Sequence, residues 1–410
     1  MAREPSVARQ DQPSAECGDS KTHRGHVKFH VVGQGLVCLI GAVMVAELSR
    51  VGRNPAREDN RMRLAEGDDG VSTQSLAVSP NGSLIATTDT AGRVALREEA
   101  RGWRTEIFAD YHGFAVSITF TPDGRFLAIG GLDFGIALWD RERDGNEQSE
   151  LLSQRGVKAI VFSPDGRSLA AASEASTQIV VWDPAERRKK MTLTSHLPVL
   201  SLAFSPDGRY LASGEFGQQG SIRVWELETG RAHYVLEGSS GPVSSVAFSP
   251  DGTMLATTAL FERCIRLWDM SSGRFCRVIA GHAFGTNSVV FSPDGGSLAS
   301  AGNDGMVRLW NAATGEQRAA LDGRASRLNH VVFSPDGRIL VATGSGDNDL
   351  RFWDLTEMIL DNTAGSKEQA RLTRGPALFG RSFDVTRSAS AHPESSARLT
   401  YLEKPHGQAA

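Results

Sequence analysis

The sequence has few of the features that mark enzymes, metal sites or nucleic-acid-binding proteins. Lys and Arg (44) nearly balance Asp and Glu (48), giving a formal net charge of −4, so no excess of positive charge points to nucleic acid. Of the four cysteines, no pair has the spacing of zinc ligands. A phosphate-binding glycine loop, HExxH and G-x-S-x-G are absent. We therefore expect no catalysis, no metal ion and no other cofactor.

The low cysteine content also limits disulfide formation. Cys264 and Cys276 flank a predicted hairpin turn near Ser271–Gly273 and could lie on paired strands. We expect two free thiols. A cross-strand disulfide is the alternative if the domain is exported.

Long uncharged apolar runs are scarce, and one stands out near the N-terminus. It extends over 16 residues, from Val31 to Ala46, and Phe29 and Leu48 lengthen it. A membrane-spanning helix needs about 20 apolar residues, so the run favours a single-pass anchor over residues 29–48. A cleaved signal peptide and a buried segment are the alternatives. Basic residues flank both sides. We expect the region that follows the anchor to lie outside the cytoplasm, with a cytoplasmic location as the alternative.

The dominant positive feature is an internal repeat. The stretch Asn287–Asn311 holds three short strand signals separated by two tight-turn signals. Its first turn has the form Ser/Thr-Pro-Asp/Asn-Gly, in which Pro presets φ and Gly accepts a positive φ. Seven such turns occur at steps of 42 to 44 residues: Ser79–Gly82, Thr121–Gly124, Ser163–Gly166, Ser205–Gly208, Ser249–Gly252, Ser292–Gly295 and Ser334–Gly337.

A tryptophan closes six of the seven repeats, and an acidic or amide residue follows each one. The tryptophans are Trp139, Trp182, Trp225, Trp268, Trp310 and Trp353. A period in the low forties with four short strands is typical of a β-propeller blade. The repeats resemble the WD40 family over residues 61–354. The resemblance implies an all-β, seven-bladed propeller.

The ends of this region predict how the ring closes. Residues 61–66 are similar to the segment that forms the outer strand of a blade, so we expect this N-terminal strand to pair with Leu350–Trp353 and close the last blade. The first blade diverges most, with Arg97 where the others have Trp. The predicted organisation is a disordered segment (1–28), a membrane helix (29–48), a linker (49–60), the propeller (61–354) and a mostly disordered tail (355–410).

The resemblance also implies a buried polar chain within a blade. The sixth blade carries the complete set: His282, Ser300, Asp304 and Trp310. The set imitates a Ser-His-Asp triad, but an indole N–H needs a buried partner, so we interpret it as structural. The second blade has Ile129 at the hydroxyl position, whereas Thr343 is expected to fill that position in the seventh.

Aromatic residues in the loops of one face give the functional prediction. Small polar residues would suffice in these turns, and exposed aromatics rimmed by polar groups are typical of a binding hot spot. The alternative is that each ring packs between neighbouring blades. The residues are Tyr111, Phe114, Phe134, Phe216, Phe261 and Phe284.

These observations favour a non-catalytic, membrane-tethered scaffold that docks a protein or peptide partner on this face. Two alternatives are an exported sensor or small-ligand-binding propeller, and the regulatory subunit of a separate catalytic chain. Only Lys158 and His330 are ionisable on the predicted innermost strands, which argues against a catalytic channel.

Overall fold

Alternating apolar and polar residues between the turns produce short strands throughout the region that the structure describes. The computed structural model describes residues 72–101, 103–111, 113–142, 149–150, 156–345, 350–356 and 372–373. These residues form 28 strands in seven four-stranded antiparallel sheets. Within each sheet every strand pairs with the next along the chain, and the first strands of all seven sheets line one central channel. The predicted all-β, seven-bladed propeller is confirmed.

The four strands of each blade are arranged side by side, in order from the channel to the outer rim. The innermost strands are β1 (Thr73–Val78), β5 (Ala115–Phe120), β9 (Val157–Phe162), β13 (Val199–Phe204), β17 (Val243–Phe248), β21 (Thr286–Phe291) and β25 (Leu328–Phe333). The second strands are β2 (Leu84–Asp89), β6 (Phe126–Gly131), β10 (Leu169–Ser173), β14 (Tyr210–Glu215), β18 (Met254–Ala259), β22 (Ser297–Gly302) and β26 (Ile339–Gly344). The third strands are β3 (Arg93–Glu98), β7 (Gly135–Asp140), β11 (Gln178–Asp183), β15 (Ile222–Glu226), β19 (Cys264–Asp269), β23 (Met306–Asn311) and β27 (Leu350–Asp354). The outer strands are β4 (Thr105–Asp110), β8 (Ser149–Glu150), β12 (Arg188–Thr194), β16 (Arg231–Leu236), β20 (Arg274–Ala280), β24 (Gln317–Asp322) and β28 (Leu372–Thr373).

The Ser-Pro-Asp-Gly turns join the first and second strands through a repeated set of hydrogen bonds. In the third blade, Ser163 Oγ donates to Asp165 Oδ1 over 2.6 Å and accepts from Ser168 N–H over 2.9 Å. Arg167 N–H donates to the same Asp165 oxygen over 3.0 Å. Gly166 adopts the predicted left-handed conformation, with φ of 70°. The bond from Ser163 and the bond from Arg167 N–H lower the pKa of Asp165, although burial opposes them.

Apolar side chains between neighbouring blades form the core. The tryptophan of each third strand packs against the blade before it, as Trp182 of the third blade does against Ile136 and Leu138 of the second. Burying a large aromatic ring removes much apolar surface from water. The same arrangement recurs at Trp139, Trp225, Trp268, Trp310 and Trp353.

The first blade fills this position with a tryptophan from outside its third strand. Arg97 replaces the usual residue, and its Nη1 lies 3.4 Å from Thr87 Oγ1. Trp103, in the turn after β3, instead packs against Ile339, Val341 and Phe352 of the seventh blade and is only 7% exposed. The seventh tryptophan of the sequence therefore completes the interface that closes the ring.

The predicted pairing of residues 61–66 with Leu350–Trp353 is wrong at Phe352 and Trp353 of β27. There, Leu372 pairs with Trp353 and Thr373 pairs with Phe352, so the last blade takes its outer strand from the C-terminal side. An open antiparallel edge accepts any extended backbone, because the hydrogen bonds come from the main chain. Residues 61–66 lie outside the described residues, and the propeller extends beyond its predicted end at residue 354.

Among the described residues, side-chain hydrogen bonds join the first and last blades. Asn329 Nδ2 donates to Thr73 O over 2.8 Å, and Leu76 N–H donates to His330 Nδ1 over 3.4 Å. Burial lowers the pKa of His330 to about 4. The neutral imidazole is therefore the form that accepts this hydrogen bond at the ring closure.

The two cysteines of the hairpin form no disulfide with each other, as expected. Cys264 pairs with Ala280, whereas Cys276 lies at the other end of the outer strand, next to Phe275, which pairs with Trp268. The register therefore separates the two sulfurs along the strands and excludes the alternative of a disulfide between them.

Several predicted segments lie outside the described residues. They are 1–28, the predicted membrane helix at 29–48, the linker at 49–60 and most of 355–410. All described residues belong to one compact unit. In the portion of the chain that the structure describes, no helix has the length and apolar character required to cross a membrane.

We predict that Trp103→Ala destabilises the protein by about 3–5 kcal/mol, because it leaves a cavity where the ring closes. Chemical denaturation measures the free energy of unfolding. Phe284→Ala is the matched control, since that ring is 68% exposed and its loss should be nearly neutral. Equal effects of the two substitutions would contradict the role given to Trp103.

We predict that the free energy of unfolding decreases as pH falls from about 6.5 towards 4. In this window the unfolded chain binds a proton at His330 that the folded chain excludes, so acid favours unfolding by up to about 3 kcal/mol. Denaturation midpoints should be compared between the wild type and His330→Gln, which keeps a hydrogen-bond acceptor. A variant with the same slope as the wild type in this window would refute the assignment.

Candidate functional site

The turns before the innermost strands and between the second and third strands form one side of the propeller, here called the loop face. A central channel with a volume of about 2480 Å³ opens on this side. Ser72, the first described residue, lines the channel opening and contacts Ser345 Oγ over 3.3 Å. The chain therefore enters the propeller on the loop face.

A β-bulge near the start of every innermost strand turns one residue towards the channel. These residues form a ring just inside the loop face, here called the bulge ring, and all of them line the channel. The bulge ring consists of Gln74, Val116, Lys158, Leu200, Ser244, Asn287 and Asn329.

Three polar members of the bulge ring connect successive blades. Ser244 Oγ donates to Thr286 O over 2.9 Å, and Asn287 Nδ2 donates to Leu328 O over 2.8 Å. Asn329 Nδ2 makes the equivalent bond to Thr73 O, also over 2.8 Å. Each acceptor is the first residue of the next innermost strand. Blades five, six, seven and one are therefore linked through one repeated side-chain contact.

Three of the six predicted aromatic residues are exposed on the loop face. The exposed fractions are 39% for Phe114, 60% for Phe261 and 68% for Phe284. Leu197, which the sequence prediction missed, is 38% exposed in the turn before β13. The same signal, an apolar residue in a turn that needs none, would have identified it.

The other three predicted residues are partly enclosed. Tyr111 and Phe134 stack with ring centroids 4.3 Å apart and pack on the core between the first two blades. Burial raises the pKa of Tyr111 to about 12. Phe216 is half-buried and lines the channel opening. For Tyr111 and Phe134, the alternative of packing between blades therefore describes the structure better.

Phe261 has an unusual backbone conformation as well as an exposed ring. Its φ of 72° lies in the left-handed region, which L side chains rarely adopt. A Cβ added to Gly285 would lie 3.4 Å from Phe261 Cα, so this turn touches the one that carries Phe284. Asn303 Nδ2 donates to Phe284 O over 3.0 Å and holds the second turn in place.

The predicted polar chain of the sixth blade is present and buried. Trp310 Nε1–H donates to Ser300 Oγ over 2.9 Å, and His282 Nε2 lies 2.8 Å from the same oxygen. His282 Nδ1 lies 2.7 Å from Asp304 Oδ1, and Arg308 Nη1 donates to Asp304 Oδ2 over 2.8 Å. Burial opposes ionisation of Asp304, but the bonds from His282 and Arg308 keep its pKa below the ordinary value. Ser300 is 0% exposed, so no substrate can reach its hydroxyl.

The fourth and fifth blades use glutamate in a variant of this chain that the sequence prediction missed. Ser195 Oγ donates to Glu215, and Arg223 Nε donates to Glu215 Oε1 over 2.7 Å. In the fifth blade, Ser240 Oγ donates to Glu262 Oε1 over 2.7 Å. The sequence signal was a Ser shortly before the innermost strand together with a Glu at or just after the end of the second strand.

The tryptophan hydrogen bond is present only where a hydroxyl stands two residues after its cross-strand neighbour. Trp182 pairs with Leu169, so Ala171 occupies that position and the indole Nε1 has no partner. In the seventh blade Trp353 pairs with Leu340, which places Ala342 there. The prediction of Thr343 is therefore wrong by one residue, and its Oγ1 has no hydrogen-bond partner.

Across the residues described by the structure, no group of three or more His, Cys, Asp or Glu side chains is arranged to hold a metal ion. What the described geometry offers is a rigid ring with exposed aromatic side chains around one channel opening.

Comparison with known proteins agrees with this architecture. The family model described as "WD40: WD domain, G-beta repeat" matches six segments: 107–140, 147–183, 187–226, 230–269, 273–311 and 315–354. Each match begins near the outer strand of one blade and ends with the third strand of the next. The first three strands of the first blade, where Arg97 replaces Trp, fall outside the matches.

A curated relative supports the same assignment. The chain is 27% identical over 108 residues to WD repeat-containing protein 1-B from Xenopus laevis, a match that covers 26% of this chain and 17% of that protein. The chain thus corresponds to a small part of the relative's length. The six repeat matches cover more than half of the chain, and the chain belongs to the WD40 repeat family.

Proposed function

We propose that this protein is a non-catalytic scaffold that docks a protein partner, through a peptide segment, on the loop face of the propeller. WD40 propellers are typical of protein-interaction scaffolds. The observation that carries the proposal is the pair of neighbouring exposed rings, Phe261 and Phe284, 60% and 68% exposed. Phe114 across the channel opening and Leu197 extend the apolar area.

The backbone of Phe261 supports a binding role over an incidental one. A bulky residue in the left-handed region costs about 1–3 kcal/mol, and such strain clusters at functional sites. Glycine would be the ordinary residue for this turn, as at Gly285 and Gly305. Retaining an exposed aromatic ring there has no folding benefit, because the ring buries little surface. A partner that covers the ring would supply the benefit.

The rigidity of the ring favours this function. The turns of the loop face are fixed by hydrogen bonds such as those of Asn303 and Glu262. Little conformational entropy is therefore lost when a partner binds. The buried position of the Ser300 hydroxyl agrees with a role in stability rather than in catalysis.

We also propose that residues 29–48 tether the propeller to a membrane, with the propeller on the extracytoplasmic side. The uncharged run from Val31 to Ala46 supports the tether. Since Ser72 lies at the channel opening, the linker would approach the propeller from the loop face.

We predict that Phe261→Gly raises the free energy of unfolding by about 1 kcal/mol, because the strain disappears, while binding of the partner weakens. Phe284→Ala should weaken binding without stabilising the fold, since Phe284 is not among the residues with positive φ. Thermal unfolding and binding are measured on the same samples. A Phe261→Gly variant that binds as tightly as the wild type would refute the docking site.

A photo-crosslinking amino acid locates the partner in cells. We predict that benzoylphenylalanine at position 261 or 284 captures a defined protein, whereas the same group at position 107 does not. Ile107 is the matched control because it is 54% exposed on the outer strand β4. Equal capture at 107 and 261 would show that the loop face has no special affinity.

We predict that the native protein sediments with membranes and that protease added to intact cells digests the propeller. Deletion of residues 1–48 should release it into the soluble fraction. A soluble wild-type protein would remove the tether, and a protected, membrane-bound propeller would place it on the cytoplasmic side.

A further inference from the structure

One member of the bulge ring carries a formal charge. Lys158 belongs to the third blade, and its bulge turns it towards the channel beside Gly156 and Ile160. The polar residues of the ring on other blades bond to neighbouring main-chain carbonyls, as Ser244 and Asn287 do. Lys158 makes no such bond among the residues that the structure describes.

The surroundings of Lys158 leave its charge uncompensated. The flanking members of the bulge ring, Val116 and Leu200, are apolar, and the next residues along the channel wall include Val161 and Ala203. Within the described ranges, no carboxylate forms an ion pair with Lys158. An ammonium group at an apolar wall attracts a carboxylate more strongly than one in open water, because the local dielectric constant is lower.

Acidic groups lie nearby but are engaged elsewhere or do not reach. Asp133 Oδ2 accepts a hydrogen bond from Phe114 N–H over 3.1 Å. Glu174 lines the channel opening on the same blade as Lys158. Its Oε2 has no hydrogen-bond partner, so this oxygen does not pair with Lys158. The cation therefore points into the channel without a carboxylate from its own blade.

We propose that the peptide segment docked on the loop face inserts an acidic side chain into the channel, where its carboxylate pairs with Lys158. This inference rests on the proposed function and specifies the chemistry of the partner. The exposed rings of Phe114 and Phe261 hold apolar residues of the segment, and Lys158 selects for the negative charge.

The dimensions of the channel favour a peptide over a small ligand. Pockets for small molecules enclose about 300–1,000 Å³, whereas this channel holds about 2480 Å³ and opens to solvent. A small carboxylate would be surrounded by water on most sides. A peptide is retained by contacts outside the channel and needs only one side chain to enter it.

The test uses the purified full-length protein and fluorescein-labelled random hexapeptide mixtures in which one position is fixed as Glu, Gln or Lys. Fluorescence anisotropy measures binding of each mixture. We expect the wild type to bind the Glu mixture about tenfold more tightly than the Gln mixture, since a charge-assisted hydrogen bond supports a difference of that size. The Lys mixture should bind least.

Substitutions assign the preference to one residue. Lys158→Met should abolish the difference between the Glu and Gln mixtures, and Lys158→Glu should reverse it in favour of Lys. Lys189→Met is the matched control, because Lys189 lies exposed on the outer strand β12, and it should leave the preference unchanged. Glu174→Gln should strengthen binding of the Glu mixture, because it removes a like charge. Thermal unfolding confirms that the variants are folded.

Chemical modification gives an independent measurement. Mass spectrometry follows acetylation of Lys158 by an N-hydroxysuccinimide ester with and without each mixture. The Glu mixture should protect Lys158 but not Lys189. Protection of Lys158 by the Gln mixture to the same extent would overturn the inference.

The outcomes separate this inference from the proposed function. If the mixtures bind and Phe261→Gly weakens all of them, but Glu and Gln bind equally, the docking face stands and the acidic preference is wrong. If no mixture binds the wild type, the proposed peptide docking fails and the inference fails with it. Retention of the Glu preference in Lys158→Met would also overturn the inference.

Discussion

The structure depends on the packing of each blade against the next. A single four-stranded sheet cannot bury both of its faces, so every blade relies on its neighbours for a core. The tryptophans show this dependence directly, because the indole of one blade covers the apolar face of the blade before it. Such an arrangement has no stable free end, and the first and last blades must meet.

The ring closure uses a device that differs from the other interfaces. The first blade lacks the usual tryptophan on its third strand, and Trp103 supplies the ring from the following turn. Asn329 and His330 add hydrogen bonds to the backbone of β1. Asn329 repeats a contact made by Ser244 and Asn287 at other interfaces. Ring closure therefore combines the packing of Trp103, which differs from the other interfaces, with a hydrogen bond that other interfaces share.

The same bulge that builds the ring also shapes the channel. Where the bulge residue is Ser or Asn, its side chain links two blades. Where it is Val116, Lys158 or Leu200, the side chain remains available to a ligand. The same repeated position therefore links neighbouring blades in some sectors of the ring and not in others. On the loop face, Phe261 has a strained backbone and an exposed ring, and both lower stability. The ring lies at a place suited to contact a partner.

The fold could be predicted from the sequence because its signals are local and repeated. Each Ser-Pro-Asp-Gly turn fixes its own geometry through neighbouring atoms, and seven copies at one period leave little freedom in the architecture. Ring closure was harder to predict. An outer strand pairs through its main chain, so the similarity of residues 61–66 to an outer strand could not exclude Leu372–Thr373 from that place.

The candidate site was only partly predictable for a comparable reason. The sequence identified the aromatic residues of the loop face, but only packing distinguishes the stacked Tyr111–Phe134 pair from the exposed Phe261 and Phe284. Cross-strand register similarly decided that Ala342, and not Thr343, lies where a hydroxyl would meet Trp353. The sequence by itself determined the repeat, the turns and the number of blades, because these follow from local chemistry. Tertiary structure alone decided closure and exposure, because both depend on residues far apart in the chain.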